Sequence, residues 1–196
     1  GIWGTSYSGA HVLYVGAYDR RVKAVVSQIQ GGIDFWDVLL YVKGPKALSQ
    51  FCDFVAQDRA ARYKSDAVSY MKVIAPPGEP QALGDPEAYE FFENVTRKVA
   101  PNWINQVTIE SLEKMIEYNV SSALPRISPT PLFMVLAEKD TLIPIDLARK
   151  GYERLREPKG LCLVDCGHFD LYYREPWLTQ AAGGATDWFT RYLGSS

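Results

Sequence analysis

The stretch Ile2-Trp3-Gly4-Thr5-Ser6-Tyr7-Ser8-Gly9 decides the fold of this chain. A short apolar run ends in small residues that surround a serine, and an apolar helical pattern follows at once. This order is typical of a sharp strand-to-helix turn that lifts a serine hydroxyl clear of the backbone. Gly4 and Ser8 are the small residues two positions before and after Ser6, where a tight turn brings the chain close to itself. We therefore predict that Ser6 is a nucleophile.

Ser8 is a rival nucleophile, because it also has small residues two positions away on either side, Ser6 and Ala10. The motif reads G-x-S-x-S-G rather than the commoner G-x-S-x-G, so the spacing does not choose between the two serines. We favour Ser6, because Gly4 can adopt backbone angles that a nucleophile at position 8 would require of Ser6.

The two ends of the chain alternate between strand and helix patterns. A helical pattern over residues 8–18 is dense in apolar residues and predicts a fully buried helix, and residues 23–28 follow as a strand. Continuous apolar runs at 131–137 and 161–164 predict two further buried strands. Strand-helix-strand order implies a mostly parallel sheet flanked by helices, so the predicted fold class is α/β. Residues 1–28 and 129–196 form the predicted core.

Residues 29–128 interrupt this alternation and form a predicted, mostly helical insertion. Gly31-Gly32 opens a loop, and helical patterns follow from Pro45, from Asp85-Pro86 and over residues 111–118. An insertion of this size over the serine's end of the sheet is expected to form a cap that shapes a substrate pocket. Its many aromatic residues favour a hydrophobic acyl group.

Composition excludes several classes of partner. The chain has 196 residues, 47% of them apolar, and a net charge of -2, with no basic run that would indicate nucleic-acid binding. No apolar run approaches the roughly 18 residues that a membrane span needs. Three scattered cysteines are too few for a disulfide framework or a zinc site, and they favour a reducing compartment such as the cytoplasm. No cofactor or metal is predicted, and the oligomeric state stays open.

A serine nucleophile needs a base, and histidine is the side chain whose ordinary pKa suits that role. The chain has two histidines. His11 lies within the helical pattern and is interpreted as structural. His168 follows the last predicted strand on a glycine-containing loop, where a base can reach the serine, so His168 is the predicted base.

An acid should orient the histidine, and Asp140 follows the strand at 131–137. The chain order Ser6, Asp140, His168 is that of α/β-hydrolases, and all three residues follow strand ends, where catalytic groups of open parallel sheets gather. Glu138 is the second candidate acid and Asp34 the third. Asp140 could also mark a helix start near Pro144, and Cys166, near His168, is interpreted as a packing residue.

The chain begins inside a predicted buried strand, which suggests the C-terminal portion of a longer polypeptide. The backbone N–H of Tyr7 is predicted as one donor of an oxyanion hole. The second donor of this fold comes from a loop after an earlier strand, so this portion alone is expected to be a poor catalyst.

The chain resembles a group of α/β-hydrolases, the dienelactone-hydrolase-like and Xaa-Pro peptidase (S15)-like proteins, which includes fungal polyketide transferases. The resemblance spans nearly the whole chain and rests on motifs in one order, namely Gly1-Ile-Trp-Gly-Thr-Ser-Tyr-Ser-Gly9, Asp19-Arg-Arg-Val-Lys-Ala-Val-Val26, Asp85-Pro-Glu-Ala-Tyr-Glu-Phe-Phe92, Trp103-Ile-Asn-Gln-Val-Thr108, Arg126-Ile-Ser-Pro-Thr-Pro131, Asp140-Thr-Leu-Ile-Pro144 and Gly167-His-Phe-Asp-Leu-Tyr172.

The resemblance implies Ser6, Asp140 and His168 as nucleophile, acid and base, with a small-molecule acyl substrate. The expected function is that of a serine hydrolase or acyltransferase that acts through an acyl-enzyme on an ester, thioester or related acyl substrate, a polyketide-type acyl group being one candidate. The alternatives are a non-catalytic α/β-hydrolase-like binding protein and an inactive truncated product.

Overall fold

The fold centres on a parallel sheet whose strands come from both ends of the chain. The computed structural model describes residues 1–30 and 32–194. Their strands are β1 (Ile2–Thr5), β2 (Val25–Gln28), β3 (Tyr70–Met71), β4 (Val107–Thr108), β5 (Leu132–Ala137) and β6 (Lys159–Val164). The sheet runs in the order β1-β2-β5-β6 with every pair parallel, while β3 and β4 form a separate antiparallel pair. Carboxyl ends of the four parallel strands therefore meet at one edge.

Helices follow or connect these strands. They are α1 (Tyr7–Tyr18), α2 (Phe35–Ser65), α3 (Pro86–Phe91), α4 (Arg97–Val99), α5 (Ile109–Glu117), α6 (Ile145–Glu153), α7 (Asp170–Tyr173) and α8 (Trp177–Leu193). A π-helical turn, Phe92–Thr96, joins α3 to α4. The described helices include none that is both long enough and apolar enough to cross a bilayer. The predicted α/β class, with a parallel sheet flanked by helices, is confirmed.

Helix α1 is buried on one face only, so the prediction of a fully buried helix is wrong. Val15, which a fully buried helix would cover, is 40% exposed, and Tyr14 and Tyr18 lie on the same exposed side. The inner face consists of small and apolar residues, namely Gly9, Ala10, Val12, Leu13, Gly16 and Ala17. These let the helix approach the sheet closely, because a Cβ at position 16 would lie 2.7 Å from Cγ2 of Val25.

The chain divides into two compact units, and the first contains the parallel sheet. It comprises Gly1–Asp34 and Asn119–Ser196. Residues 29–34 and 119–128, which the sequence pattern assigned to the insertion, belong to this unit, and several of their apolar side chains are buried: Ile29, Ile33, Val120, Leu124 and Ile127. Gly31, predicted to open a loop, lies outside the described residues.

The second unit, Phe35–Tyr118, is mainly helical. Its first helix, Phe35–Ser65, is broken at Gly44, which has φ 80 and ψ 171, so a helical segment starts at Pro45 as predicted and another precedes it. An ion-pair network joins α2 to α5, with Arg62 donating to Asp58 at 2.8 Å and also pairing with Glu113. The network pairs two almost fully buried carboxylates, those of Asp58 and Glu113, with a guanidinium group, and this pairing offsets part of the cost of burying their charge.

Candidate active site

Ser6 occupies the single position between β1 and α1, because the strand ends at Thr5 and the helix begins at Tyr7. Its backbone has φ 52 and ψ -127, a conformation that costs energy for any residue with a side chain. The Ser6 N–H donates to the carbonyl oxygen of Gln28 on β2 at 2.9 Å. This hydrogen bond to β2 helps to hold Ser6 in its strained conformation at the carboxyl edge of the sheet. A strand-to-helix elbow requires a serine in this position.

Gly4 is needed at the elbow because the chain passes close to it. A Cβ at this position would lie 2.7 Å from the backbone carbonyl carbon of Ser8 and 2.9 Å from Cγ1 of Val12. Its own φ is not positive, so the sequence argument from backbone angles at Gly4 is wrong. The positive φ belongs to Ser6 instead, and glycine is required here for space.

Gly4→Ala is therefore expected to lower the free energy of unfolding by about 3 kcal/mol, because a backbone group cannot move aside as a flexible side chain can. Urea unfolding followed by circular dichroism measures the change. The matched control is Gly183→Ala in α8, where nothing lies within 4 Å of the added Cβ. That substitution should stabilise by roughly 0.5–1 kcal/mol through helix propensity. Equal stabilities of the two variants would contradict the close approach at Gly4.

Ser8, the rival nucleophile, uses its hydroxyl within the turn. Its Oγ accepts from the backbone N–H of Thr5 at 3.0 Å and donates to the carbonyl oxygen of the same residue at 3.1 Å. Both bonds brace the backbone on either side of Ser6. The described contacts pair Ser6, and not Ser8, with a histidine.

The three side chains predicted from chain order lie together. The Ser6 Oγ is 2.9 Å from Nε2 of His168, and Nδ1 of His168 is 2.7 Å from Oδ2 of Asp140. The side chains of His168 and Asp140 are 1% and 2% exposed. A carboxylate only accepts, so Nδ1 carries the proton and Nε2 is left to accept from the serine hydroxyl. This arrangement can take a proton from Ser6.

Asp140 is held in place by the backbone that follows it. Its Oδ1 accepts from the N–H groups of Leu142 and Ile143, both at 2.8 Å, while Oδ2 meets the histidine. Helix α6 begins at Ile145 with no side-chain cap, so Asp140 is not its N-cap. The two bonds to Oδ1 therefore hold the carboxylate in the orientation that points Oδ2 at His168.

The other candidate acids have different partners. Glu138 is exposed and pairs with Arg149 at 3.1 Å. Asp34 is buried and accepts a hydrogen bond from the side-chain amide of Asn119. Asp140 is thus the candidate that the fold brings to the histidine.

His168 lies on a short loop between β6 and α7 that Asp170 stabilises. The Oδ2 of Asp170 accepts from the N–H of Gly167 at 2.9 Å, and its other oxygen pairs with Arg174 at 3.1 Å. His11, the other histidine, is exposed on α1 and packs edge-on against the Tyr7 ring at 4.8 Å. His11 was predicted to lie in a fully buried helix, and the structure places it on the exposed face of α1 instead.

Tyr7 and Cys166 complete the residues singled out from the sequence. Tyr7 is the first residue of α1, so its backbone N–H belongs to the helix N-terminus directly after Ser6. Cys166 is 1% exposed within an apolar cluster that includes Val164 and Leu171, which fits a packing residue. The described residues contain no group of His, Cys, Asp and Glu arranged to hold a metal ion.

The sequence analysis missed a set of hydrogen bonds at Thr5, the residue before Ser6. The hydroxyl of Thr5 donates to Oη of Tyr172 at 3.1 Å and accepts from Nε2 of Gln28 at 3.3 Å. Burial raises the pKa of Tyr172, and the hydrogen bond from Thr5 partly opposes that rise. The one sequence feature that pointed to Tyr172 is its position four residues after the predicted base, in the Gly167-His-Phe-Asp-Leu-Tyr172 motif.

Curated proteins of three kinds resemble this sequence, although no protein-family model matches it. An uncharacterized 31.7 kDa Escherichia coli protein from the traX-finO intergenic region is 27% identical over 98% of this chain and 65% of its own length. Thiohydrolase apmlB of Arthrinium phaeospermum is 26% identical over 87% of this chain and 56% of itself. Polyketide transferase ATR5 of Stachybotrys chlorohalonatus is 28% identical over 83% of this chain and 53% of itself. The chain thus spans between about half and two thirds of these relatives.

Solved structures show the same fold. The α/β-hydrolase GrgF from Penicillium sp. sh18 superposes with a TM-score of 0.75 at 23% identity, over 98% of this chain and 63% of that one. DcsB, solved with its substrate analogue, superposes with a TM-score of 0.77 at 20% identity, over 98% of this chain and 64% of that one. The parallel sheet, the serine elbow and these similarities all indicate the same fold. The chain therefore has the α/β-hydrolase fold, and its sequence is similar to curated proteins that include a fungal polyketide transferase.

Proposed function

We propose that this chain carries the nucleophile, base and acid of an enzyme that transfers acyl groups. Ser6 is the nucleophile, His168 the general base and then the acid, and Asp140 the residue that orients His168. One observation carries the proposal: an unbroken line of hydrogen bonds runs from Ser6 Oγ through both ring nitrogens of His168 to Oδ2 of Asp140. Such a line has the roles and geometry of a serine-hydrolase triad.

Acylation of Ser6 is the first step of the proposed mechanism. His168 Nε2 accepts the hydroxyl proton as Oγ adds to the substrate carbonyl carbon, and the new negative charge forms on the carbonyl oxygen. Asp140 stabilises the imidazolium and keeps it in the required orientation. His168 then gives the proton to the departing alcohol or thiol, which leaves an ester of Ser6. The backbone N–H of Tyr7 is proposed as one donor to the transient oxyanion.

Transfer to an acceptor is the second step. Water or an alcohol attacks the ester carbon while His168 takes its proton. The bond between the acyl carbon and Ser6 Oγ then breaks, and His168 returns the proton to Oγ, which restores the serine hydroxyl. Water as acceptor gives hydrolysis, and an alcohol gives acyl transfer. The relatives named thiohydrolase and polyketide transferase support thioesters with polyketide-type acyl groups as the substrate class.

Competition between acceptors tests this proposal. The complete natural polypeptide that contains these residues is incubated with an acyl thioester of N-acetylcysteamine and with the p-nitrophenyl ester of the same acid. We expect the protein to hydrolyse both substrates. When an alcohol is added, the ratio of acid product to ester product should be the same for both, because both substrates pass through one acyl-enzyme. Partition ratios that depend on the leaving group would contradict a shared intermediate on Ser6.

A further inference from the structure

Thr5, the last residue of β1, links the segment that carries the proposed nucleophile to the helix that follows the proposed base. Its hydroxyl donates to Oη of Tyr172 on α7 at 3.1 Å and accepts from Nε2 of Gln28 on β2 at 3.3 Å. Thr5 directly precedes Ser6, and Tyr172 lies four residues after His168. The bond between Thr5 and Tyr172 therefore joins, at a second point, the two chain segments that meet at Ser6 and His168.

The two hydrogen bonds and a set of ring contacts form a closed circuit around the site. Nε2 of His168 lies 2.9 Å from Ser6 Oγ. The ring of His168 lies 6.3 Å from that of Tyr172, centroid to centroid, and both rings pack against Phe169, at 4.9 Å and 6.0 Å. From Tyr172 the hydrogen bond to Thr5 leads back to the residue next to Ser6. A shift of the base relative to the nucleophile therefore strains the bond between Thr5 and Tyr172.

The surroundings of Thr5 hold its hydroxyl in one place. Gln28 is 4% exposed, so its side-chain amide needs partners inside the protein, and the Thr5 hydroxyl is one of them. The two residues lie opposite each other in the parallel pairing of β1 with β2. Branching at Cβ also restricts rotation of the threonine side chain about χ1. The sheet thus presents Tyr172 with a fixed hydrogen-bond partner.

We propose that Thr5 is a positioning residue, whose hydrogen bond to Tyr172 keeps Nε2 of His168 aligned with the hydroxyl of Ser6. The inference rests on the proposed function, since it concerns the proton transfer between those two side chains. Asp140 holds the ring of His168 from its Nδ1 side at 2.7 Å, whereas Thr5 and Tyr172 restrain the segment that carries it. Neither Thr5 nor Tyr172 gives or takes a proton in this role.

Loss of this bond is expected to loosen the alignment without destroying it. Asp140 still binds Nδ1 of His168, and Asp170 still closes the loop through the N–H of Gly167. A misplacement of about 1 Å costs on the order of 100-fold in rate, so we expect a smaller loss of roughly 5- to 30-fold. Acylation and hydrolysis of the acyl-enzyme depend on the same alignment and should slow together. The loss therefore falls on kcat, with KM within about twofold of wild type.

Thr5→Val removes the hydroxyl and keeps the branched shape of the side chain, and Thr5→Ser restores the hydroxyl. Hydrolysis of a p-nitrophenyl ester is measured in the complete natural polypeptide, and the rate is divided by the number of sites that a fluorophosphonate labels at completion. We expect Thr5→Val to show the loss in kcat per site, and Thr5→Ser to stay within about twofold of wild type. Thr179→Val, the same chemical change at an exposed position of α8, is the matched control and should keep the wild-type kcat.

The count of labelled sites separates positioning from support of the fold. A residue that only stabilises the fold changes the thermal unfolding temperature and the number of sites that can be labelled, while each remaining site keeps its rate. Wild-type kcat per site in Thr5→Val therefore overturns the inference, whatever its unfolding temperature.

Tyr172→Phe tests the same bond from its other end, with Tyr173→Phe as the control on α7. Tyr172 has further interactions, so we combine Tyr172→Phe with Thr5→Val in a double-mutant cycle, which isolates the contribution that the two residues share. We expect the double variant to lose no more kcat than Tyr172→Phe alone, because both substitutions break one bond. Losses that multiply overturn the inference. If Thr5→Val does not fold, a lower kcat per site at unchanged KM in Tyr172→Phe supports the inference, and the wild-type value overturns it.

The outcomes distinguish this inference from the function on which it rests. Labelling of the wild-type protein on Ser6, together with full kcat per site in Thr5→Val, overturns the role of Thr5 and leaves the proposed function standing. A wild-type protein that neither hydrolyses the ester nor forms an adduct on Ser6 overturns both. Loss of kcat per site in Thr5→Val, with recovery in Thr5→Ser and no change in Thr179→Val, supports the inference.

Discussion

Ser6→Ala is expected to lower kcat for ester hydrolysis by roughly 10⁴- to 10⁶-fold, the loss seen when a serine nucleophile of this type is removed. The substitution deletes the oxygen that lies 2.9 Å from Nε2 of His168 and leaves no other described hydroxyl paired with that nitrogen. Initial rates with a p-nitrophenyl ester, in the complete natural polypeptide, measure the loss.

Ser8→Ala is the matched control for this substitution. It removes the two hydrogen bonds that brace the turn, so we expect a loss of about 1 kcal/mol in stability. Its kcat should stay within about tenfold of wild type, because the proton route through His168 is unchanged. A Ser6→Ala variant as active as wild type would favour a non-catalytic binding protein, and a larger loss in Ser8→Ala would make Ser8 the nucleophile.

Asp140→Asn is expected to lower kcat by roughly 10⁴-fold. The N–H groups of Leu142 and Ile143 require an oxygen at Oδ1, so the new amide must turn its NH₂ group toward His168. That group donates to Nδ1, which forces the ring proton onto Nε2. The histidine then cannot accept the proton of Ser6, although the side chain is almost unchanged in size.

Glu138→Gln is the matched control for the acid, because it makes the same chemical change on a neighbouring exposed residue. Its side chain pairs with Arg149 in a surface ion pair worth at most about 1 kcal/mol. We expect kcat within twofold of wild type. Steady-state kinetics of both variants at neutral pH provide the comparison, and equal losses of activity in the two would contradict the assignment of Asp140.

Chain order predicted three side chains that the structure brings together. Ser6, Asp140 and His168 each follow a strand of one parallel sheet, and such strands bring their carboxyl ends to one edge, so position in the sequence predicts proximity in space. The pattern of continuous apolar runs predicted β5 well, because a strand covered on both faces needs no alternation.

Close approaches within a turn, and contacts between residues far apart in the sequence, could not be predicted from chain order. Sequence patterns do not show that Ser8 passes against Gly4, so the reason for that glycine was misassigned. The contact of Tyr172 with Thr5 joins residues far apart in the chain, and no spacing rule predicts it. Helix α1 carries aromatic residues on its exposed face, where hydrophobic density alone suggested full burial.

Mapping a fluorophosphonate adduct tests the central claim most directly. The complete natural polypeptide is labelled, digested and analysed by tandem mass spectrometry, alongside Ser6→Ala and Ser8→Ala. A nucleophile activated by His168 predicts one adduct on Ser6, which is lost in Ser6→Ala and retained in Ser8→Ala. An adduct on Ser8 or on another residue, or no adduct in the wild-type protein, would contradict the assignment of Ser6.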